Sequence, residues 1–275
     1  MSAPIRKLTY AERWLHDGLL ISNQPAFHQS IEIDIGRVKA SIQAARERGF
    51  RCTYTHALVR AAALALSANP ELHRMLAGNR MQEPSRVDIA LSVSGEGSVV
   101  PTLVIQGANE KPIDLIAGEI VRRLPEAQEA DRQMRSMLNT WGWLVPFGFL
   151  RRAVLRLLFR SFRFRQKGAG TFQVSVVPGV DQSATPLFNA AAILVAGEVK
   201  DRAIAVNGLP AVRPTIRLTC SADHRLWNGH DCQKFLVAVG DILTGVELEQ
   251  EILEKCARRE TLEGAGLASD AFRNH

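Results

Sequence analysis

The strongest constraint on the fold lies in residues 202–222, RAIAVNGLPAVRPTIRLTCSA, where Asn207-Gly208 separates two runs rich in apolar residues. An Asn-Gly pair favours the two-residue turn of a β-hairpin, because both positions of that turn require positive φ. In the second run, Ile216 and Leu218 alternate with polar residues. Such alternation predicts a strand with one buried face. The sequence therefore predicts an antiparallel hairpin inside a larger sheet.

Other apolar patterns predict a mixture of strands and helices around this hairpin. Strand patterns occur in FHQSIEIDI (27–35), the two arms of VDIALSVSGEGSVVPTLVI (87–105), TFQVSVV (171–177) and AAILVAGEV (191–199). Helical patterns occur in LTYAERWLHDGLL (8–20), THALVRAAALALSAN (55–69), KPIDLIAGEIVRRLPEAQEADRQM (111–134), NGHDCQKFLVAVGDIL (228–243) and ELEQEILEKCARR (247–259). We expect a turn at Gly95-Glu96-Gly97. We also expect a helix break near Pro125, because proline removes a helical hydrogen bond.

A basic and aromatic segment occupies residues 137–168 and contains Trp141 and Trp143. Seven cations follow with no acidic residue among them: Arg151, Arg152, Arg156, Arg160, Arg163, Arg165 and Lys167. The apolar run is too short to span a bilayer. The pattern from Phe149 to Phe162 predicts a basic amphipathic helix, which would bind an anionic membrane or an acidic partner. The alternative is a helical hairpin packed on its own protein or on a neighbouring subunit, with its arginines in solvent.

The net charge indicates the kind of partner that the protein binds, and the cysteines and N-terminal residues indicate its metal content and cellular compartment. The net charge of +6 and the pI of about 9.4 favour acidic partners such as phosphorylated cofactors, acidic carrier proteins or anionic membranes. No recognised nucleic-acid-binding module surrounds the basic cluster, so we do not expect nucleic-acid binding. The four cysteines form no CxxC pair, which predicts neither a zinc site nor a disulfide framework. The first ten residues lack an apolar signal core, so we expect a cytoplasmic protein.

The stretch SADHRLWNGHD, residues 221–231, places His224 after the predicted strand and before the predicted helix. A strand end fixes the backbone of such a histidine, and a neutral imidazole accepts a proton near pH 7. The residues alone leave two interpretations open, a general base or a histidine within a structural hydrogen-bond network.

Several motifs resemble the catalytic domain of the dihydrolipoamide acyltransferases of 2-oxoacid dehydrogenase complexes. SADHRLWNG is similar to the DHRxxDG signature of that family, and chloramphenicol acetyltransferase carries a related HxxxDG motif. GAGTFQVS is similar to the family's GGTFxxS strand, and AAILVAGEV to its xAILGxG strand. FHQSIEIDIGRVKA, THALVRAAALAL, NPEL and VDIALSVSGEGSVVPTLV follow in the family's order. The resemblance covers roughly residues 5–245.

The resemblance implies an α/β fold of the chloramphenicol acetyltransferase type, a mixed sheet flanked by helices, assembled as a homotrimer or a multiple of one. Each active site would lie between two subunits. By motif position, His224 would deprotonate a thiol of coenzyme A or dihydrolipoamide, and Ser175 would stabilise the tetrahedral oxyanion. The alternation in TFQVSVV independently puts Ser175 on the polar side of its strand, where a hydroxyl can donate to developing negative charge. The alternative for Ser175 is an ordinary strand hydroxyl.

Three departures from the family pattern qualify this expectation. The family carries lipoyl domains ahead of this domain, whereas this chain starts almost at the catalytic domain, so we expect no lipoyl group of its own. Acyl groups would then arrive on coenzyme A or an acyl carrier protein, and no metal is expected. The 137–168 segment replaces a short connection. The aspartate of the motif is Asn228.

Two roles are open for Asn228. One is the N-cap of the following helix, which asparagine fills as well as aspartate does, with Asp231 completing a capping box. The other is an ion pair with an arginine, which asparagine cannot form. Arg6 and Arg13 are the candidate arginines, and we expect the facing region to have changed.

We therefore predict an acyltransferase catalytic domain over residues 1–245, with an insertion at 137–168, and a C-terminal helix and tail over 246–275. The function predicted is acyl transfer between a thioester carrier and a thiol or other acceptor, in a biosynthetic pathway. The alternative is a catalytically weakened relative that acts as a scaffold or binding module through the basic segment.

Overall fold

The computed structural model describes residues 6–22, 24–93 and 101–254. The helices are α1 (Tyr10–Ile21), α2 (Gly36–Glu47), α3 (Tyr54–Ala68), α4 (Ile113–Trp141), α5 (Gly148–Phe159), α6 (Phe162–Ala169) and α7 (Gly229–Thr244). The strands are β1 (Ala26–Asp34), β2 (Met75–Ala77), β3 (Arg80–Gln82), β4 (Ile89–Ser92), β5 (Thr102–Ile105), β6 (Phe172–Val176), β7 (Ala192–Ala196), β8 (Lys200–Val206) and β9 (Leu209–Asp223). A further helical stretch covers 246–254.

Seven strands form one mixed sheet in the order β1-β9-β7-β6-β4-β5, with β8 pairing to β9. The β4–β6 and β6–β7 pairs are parallel, whereas the pairs that involve β9, and the β4–β5 pair, are antiparallel. The strands β2 and β3 form a separate small hairpin. The predicted α/β architecture, a mixed sheet flanked by helices, is confirmed.

The predicted hairpin is present, and its geometry follows from its turn residues. Asn207 and Gly208 have φ values of 53° and 80°, so both adopt the left-handed conformation that the two-residue turn requires. The turn joins β8 to β9, whose fifteen residues run through the centre of the sheet. The predicted turn at Gly95-Glu96-Gly97 lies outside the described residues, but the two strands beside it pair as expected.

The main core lies between one face of the sheet and the helices α3 and α7. α3 contains nine buried residues and is the apolar, buried helix that its sequence predicts. Gly170 lies just before β6 and has a φ of 61°. A Cβ at this position would lie 2.5 Å from the carbonyl oxygen of Asp88. Glycine therefore permits the close packing of β6 on the chain before β4.

The break predicted near Pro125 is wrong, because α4 continues through it for 29 residues. Proline removes the hydrogen bond to the carbonyl four residues earlier, at Val121. Val121 itself is exposed, so this proline lies in a turn of α4 that has an exposed side.

The helix predicted from Phe149 to Phe162 is present as α5 but is shorter than predicted. α5 ends at Phe159, and α6 begins at Phe162 with Ser161 as its N-cap, accepting from the backbone N–H of Phe164. Serine at an N-cap competes with helix continuation, which explains the division. Within the described ranges, no helix combines the length and apolarity needed to cross a bilayer.

Candidate active site

The strand β9 ends at Asp223 and delivers His224 to the surface of the molecule. The backbone N–H of His224 donates to the carbonyl of Pro25 at 2.8 Å, which fixes the residue beside the start of β1. The imidazole lies against Phe27, with 4.9 Å between the ring centroids. Among the described residues, neither ring nitrogen has a hydrogen-bond partner. A backbone held in place and a free ring nitrogen suit a proton acceptor.

The residues on either side of His224 form an ion pair. The carboxylate of Asp223 is buried and accepts from the backbone N–H, Nε and Nη2 of Arg225. This hydrogen bonding raises the pKa of Arg225 above its ordinary value. The pair closes the turn that follows β9 and thereby restricts the orientation of His224.

Asn228 is the N-cap of α7. Its side-chain oxygen accepts from the backbone N–H groups of His230 and Asp231, and the Asp231 carboxylate accepts from the backbone N–H of Asn228. The predicted capping box is confirmed. It fixes the direction of α7 relative to the strand end that carries His224.

Arg6 and Arg13, the two candidate partners for an acidic residue at position 228, do not contact Asn228 within the described part of the chain. Arg6 pairs with Glu12 at 2.7 Å, and Nε of Arg13 donates to the carbonyl of Leu8 at 3.1 Å. Within this chain, both candidate arginines thus have partners other than Asn228.

Ser175 lies near the end of β6, on the sheet face opposite the main core. Phe172 and Val174 point into that core, so Ser175 shares the other face with Gln173. Its side chain is half-buried, and within the described residues its hydroxyl has no hydrogen-bond partner. The polar side predicted for Ser175 is thus the side it occupies.

The register of the sheet separates Ser175 from His224 within one chain. Ser175 pairs with Val195 of β7, and Val195 pairs with Thr219 of β9. From Thr219 to the end of β9 the chain runs about 13 Å at 3.3 Å per residue, and two strand spacings add about 9 Å across the sheet. The backbone of Ser175 therefore lies about 15 Å or more from the end of β9 that leads into His224, which separates the two residues within one chain.

A cavity of about 470 Å³ lies beside the turn that follows β9. Four arginines line it: Arg156, Arg160, Arg165 and Arg225. The hydroxyl of Ser22 also lines it, is buried, and has no partner among the described residues. Burial, and next the positive charge of Arg225, lowers the pKa of Arg165 to about 10. Concentrated positive charge with an unpaired hydroxyl is suited to an anionic group.

Backbone carbonyls hold the buried Arg165, and no carboxylate in the part of the chain that the structure describes forms an ion pair with it. Arg165 donates through Nε and Nη2 to the carbonyl of Asn189, and through Nη1 to the carbonyl of Leu76. Arg156 and Arg160 make no ion pair within the described part of the chain. Their guanidinium groups are therefore available to a ligand in the cavity.

The cysteines contribute no candidate chemistry in the part of the chain that the structure describes. Cys52, Cys220 and Cys232 are buried, and Cys256 lies outside that part. No group of three or more histidine, cysteine, aspartate or glutamate side chains with metal-binding geometry occurs in the described ranges.

Sequence reasoning predicted His224, Ser175 and Asn228 but missed Asp223, Arg225 and the arginine cavity. The Asp-His-Arg triplet was available as a signal for the ion pair, because its charged residues lie two positions apart. The cavity has no local signal. Its arginines come from α5, α6 and the turn after β9, and only the tertiary fold brings them together.

The curated proteins to which the chain is similar are acyltransferase components of 2-oxoacid dehydrogenase complexes. The chain is 25% identical over 229 residues to the lipoamide acyltransferase component of the branched-chain alpha-keto acid dehydrogenase complex of Bacillus subtilis, covering 82% of this chain and 45% of that protein. It is 29% identical over 203 residues to the dihydrolipoyllysine-residue succinyltransferase component of the 2-oxoglutarate dehydrogenase complex of Pseudomonas aeruginosa, covering 72% and 42%. The chain thus spans less than half the length of these curated relatives.

The same fold occurs in the solved structure of Azotobacter vinelandii dihydrolipoamide acetyltransferase. The TM-score is 0.66 at 21% identity, with 92% of this chain and 94% of that chain covered. The sequence model of the family described as 2-oxoacid dehydrogenases acyltransferase (catalytic domain) matches residues 15–140 and 161–250. These matches cover most of the chain, including β6 and the whole turn around His224. The chain belongs to the 2-oxoacid dehydrogenase acyltransferase family, through its catalytic domain.

Proposed function

We propose that this protein transfers an acyl group between a thioester and a thiol, at a site shared by neighbouring subunits of a trimer. His224 of one subunit is the general base, and Ser175 of the next subunit stabilises the oxyanion. Both residues lie within the segments that match the family. Coenzyme A, or the phosphopantetheine of an acyl carrier protein, is the proposed thiol carrier.

The observation that carries this proposal is the separation of the two residues. Within the described residues, His224 and Ser175 each have a polar group without a hydrogen-bond partner, but the sheet register separates their backbones by about 15 Å or more in one chain. A cyclic trimer brings different surfaces of two copies together at each interface. The His224 end of one sheet can then face the Ser175 face of its neighbour.

The reaction follows from the two groups. A ring nitrogen of His224 accepts the proton of the attacking thiol, and the resulting thiolate adds to the thioester carbonyl carbon. The carbonyl oxygen becomes an oxyanion, to which the Ser175 hydroxyl donates a hydrogen bond. The tetrahedral intermediate collapses as the original carbon–sulfur bond breaks. The departing thiolate takes the proton back from His224, so both atoms and charge balance.

Asn228 is a positioning residue in this proposal. It caps α7 and thereby holds the turn that carries His224. Support comes from the Azotobacter acetyltransferase, where crystallographic and enzymatic work addressed the roles of a serine, a histidine and an asparagine four residues after that histidine in the catalytic mechanism. Asn228 has the same four-residue spacing from His224, so asparagine at this position is compatible with an active site.

The arginine cavity supports the choice of a phosphorylated thiol carrier. Coenzyme A and carrier-bound phosphopantetheine both bear phosphate groups, which guanidinium groups bind through charge-assisted hydrogen bonds. The cavity lies beside Arg225, one residue after His224. A phosphate held there would leave the flexible pantetheine arm to carry the thiol toward the imidazole.

The proposed domain organisation is a catalytic domain over residues 1–245 with an insertion at 137–168, followed by a C-terminal segment over 246–275. The match to the family omits residues 141–160, inside the proposed insertion. In the structure these residues comprise the last residue of α4 and the whole of α5.

The test uses thioester consumption with a panel of acyl-coenzyme A and acyl-carrier donors. His224→Ala is expected to lower the rate by about a hundredfold or more, and Ser175→Ala by about a hundredfold. The exposed His230, also near the start of α7, supplies the matched control, and His230→Ala should keep wild-type activity. Wild-type turnover by His224→Ala would overturn the assignment of the base.

A further inference from the structure

The side of α5 that packs on the protein is mixed, with Arg152, Leu155 and Phe159 half-buried beside Arg151. Arg151 is its one buried residue, and Nε of Arg151 donates to the Asp17 carboxylate at 2.7 Å. Nη1 of Arg151 also donates to the carbonyl of Pro146 at 2.8 Å, and Arg152 reaches the same Asp17 at 2.9 Å. These contacts fix α5 on α1. The expectation that the arginines of this segment lie in solvent holds for Arg156 and Arg160, which are exposed, but not for Arg151, which is buried.

The opposite side of α5 is apolar and exposed. We call it the α5 face, and it comprises Phe149, Leu150, Val154, Leu157 and Leu158. These residues recur at the spacing of one helical face. Phe149 is 62% exposed and Leu157 is 71% exposed. Trp141, Trp143, Leu144 and Phe147 extend the exposed apolar surface before the helix. Soluble surfaces seldom carry so many large apolar side chains in one segment, so this face is suited to an apolar partner.

Positive charge borders this apolar surface. Residues 132–180 contain no aspartate or glutamate. Arg156, Arg160 and Arg163 are exposed, and in the described ranges none of them pairs with a carboxylate. An exposed apolar helix face with tryptophans and bordering arginines is the pattern of helices that lie in the interfacial region of a bilayer. Arginine stems extend along apolar surface and place their charges at the level of lipid phosphates.

We propose that the α5 face, with Trp141 and Trp143, docks this protein on an anionic lipid bilayer without spanning it. The outermost groups are apolar, which favours a bilayer over an acidic carrier protein that would require exposed charge. The match to the family omits residues 141–160, so this surface is not part of what the family shares. That argues against a subunit interface common to the family.

The first experiment is flotation with vesicles of phosphatidylcholine mixed with phosphatidylglycerol, and with vesicles of phosphatidylcholine alone. The wild-type protein should float with the anionic vesicles, and salt should weaken this binding because it screens the arginines. Tryptophan fluorescence should shift to shorter wavelength on binding. Trp141 and Trp143 are exposed and would enter the bilayer, whereas Trp227 is already buried. Absence of flotation by the wild type would overturn the proposal.

The second experiment uses matched substitutions of exposed residues. The double variant Phe149→Glu/Leu157→Glu should lower vesicle partitioning at least about tenfold, because charge on the inserted face opposes burial in lipid. Leu209→Glu is the control, since Leu209 is 70% exposed but lies in the β8–β9 hairpin. It should bind as the wild type does. Unchanged flotation of the double variant would contradict the proposal. If the wild type does not bind vesicles, two results would assign the face to another partner. The wild type could be retained on immobilised acyl carrier protein, or the double variant could lose the trimer in light scattering. Either result would contradict the proposal.

Discussion

Asp223 and Arg225 form an ion pair on either side of His224, with 2.6 Å between Nη2 of Arg225 and Oδ2 of Asp223. The carboxylate is buried, while the guanidinium is half-exposed at the edge of the arginine cavity. The pair therefore connects the strand end, the proposed base and the proposed phosphate site. A buried carboxylate that loses its partner is costly, so this contact is open to a direct test.

Arg225→Gln should lower the free energy of unfolding by about 2 kcal/mol, because it leaves the Asp223 carboxylate buried with its charge unpaired. Urea unfolding measures the change. The double variant Asp223→Asn/Arg225→Gln removes both charges and should recover part of the loss. If the double variant loses as much free energy of unfolding as Asp223→Asn and Arg225→Gln lose together, the two side chains are not coupled.

Asn228→Ala should lower the free energy of unfolding by about 1 kcal/mol through the lost N-cap, whereas Asn228→Asp should stay close to wild type because aspartate also caps. Thr9 provides the control, since it caps α1 with the same kind of capping box, away from His224. Thr9→Ala should cost similar stability and leave activity unchanged, while Asn228→Ala should also lower activity. Equal activity of the two alanine variants would contradict a positioning role for Asn228.

Two buried histidines predict acid sensitivity. Burial lowers the pKa values of His56 and His73 to about 4. The unfolded chain binds these protons below about pH 6.5, whereas the native chain binds them only near pH 4. The free energy of unfolding should therefore be fully retained above pH 6.5 and fall by about 1.4 kcal/mol per pH unit for each histidine between those values. Urea unfolding from pH 7 to 4.5 measures the slope.

Removing one of these histidines isolates its contribution. The ring Nε2 of His73 shares a hydrogen bond with Oγ1 of Thr171 at 2.7 Å. His73→Asn should reduce the pH slope by about half, even if it lowers stability at pH 7. An unchanged slope would mean that other groups cause the acid sensitivity.

Arg156→Gln/Arg160→Gln should raise KM for acyl-coenzyme A by about tenfold or more, because each loses a charge-assisted contact to phosphate. KM for the matching acyl-pantetheine, which lacks phosphate, should not change. Arg163→Gln is the control, as Arg163 is exposed and does not line this cavity. Equal increases of KM for both donors would contradict phosphate binding in the cavity.

Much of the fold was predictable where the information is local. The hairpin at Asn207-Gly208 and the capping box at Asn228 depend on residues within a few positions of each other, and both were predicted correctly. The continuation of α4 through Pro125 was not, because the local pattern around a proline favours a break. The orientation of α5 depends on the contact of Arg151 with Asp17, 134 residues away, which no local pattern reveals.

The site was predictable in its residues but not in its arrangement. His224 and Ser175 follow from motif position and strand alternation, while their separation follows from the pairing of β6, β7 and β9. A sequence does not show which strands become neighbours. The separation is what makes a shared site necessary if both residues act on one substrate.

Complementation between inactive variants tests that shared site most directly. His224→Ala and Ser175→Ala should each be nearly inactive alone. If they are co-expressed and assemble at random, a site with both residues intact forms wherever a Ser175→Ala subunit supplies His224 to a His224→Ala neighbour. About a quarter of the sites should then be complete in a cyclic assembly, with activity near a quarter of wild type. The two variants purified separately and mixed without subunit exchange should stay inactive. Co-expressed variants no more active than either alone would contradict a site built from His224 of one subunit and Ser175 of the next.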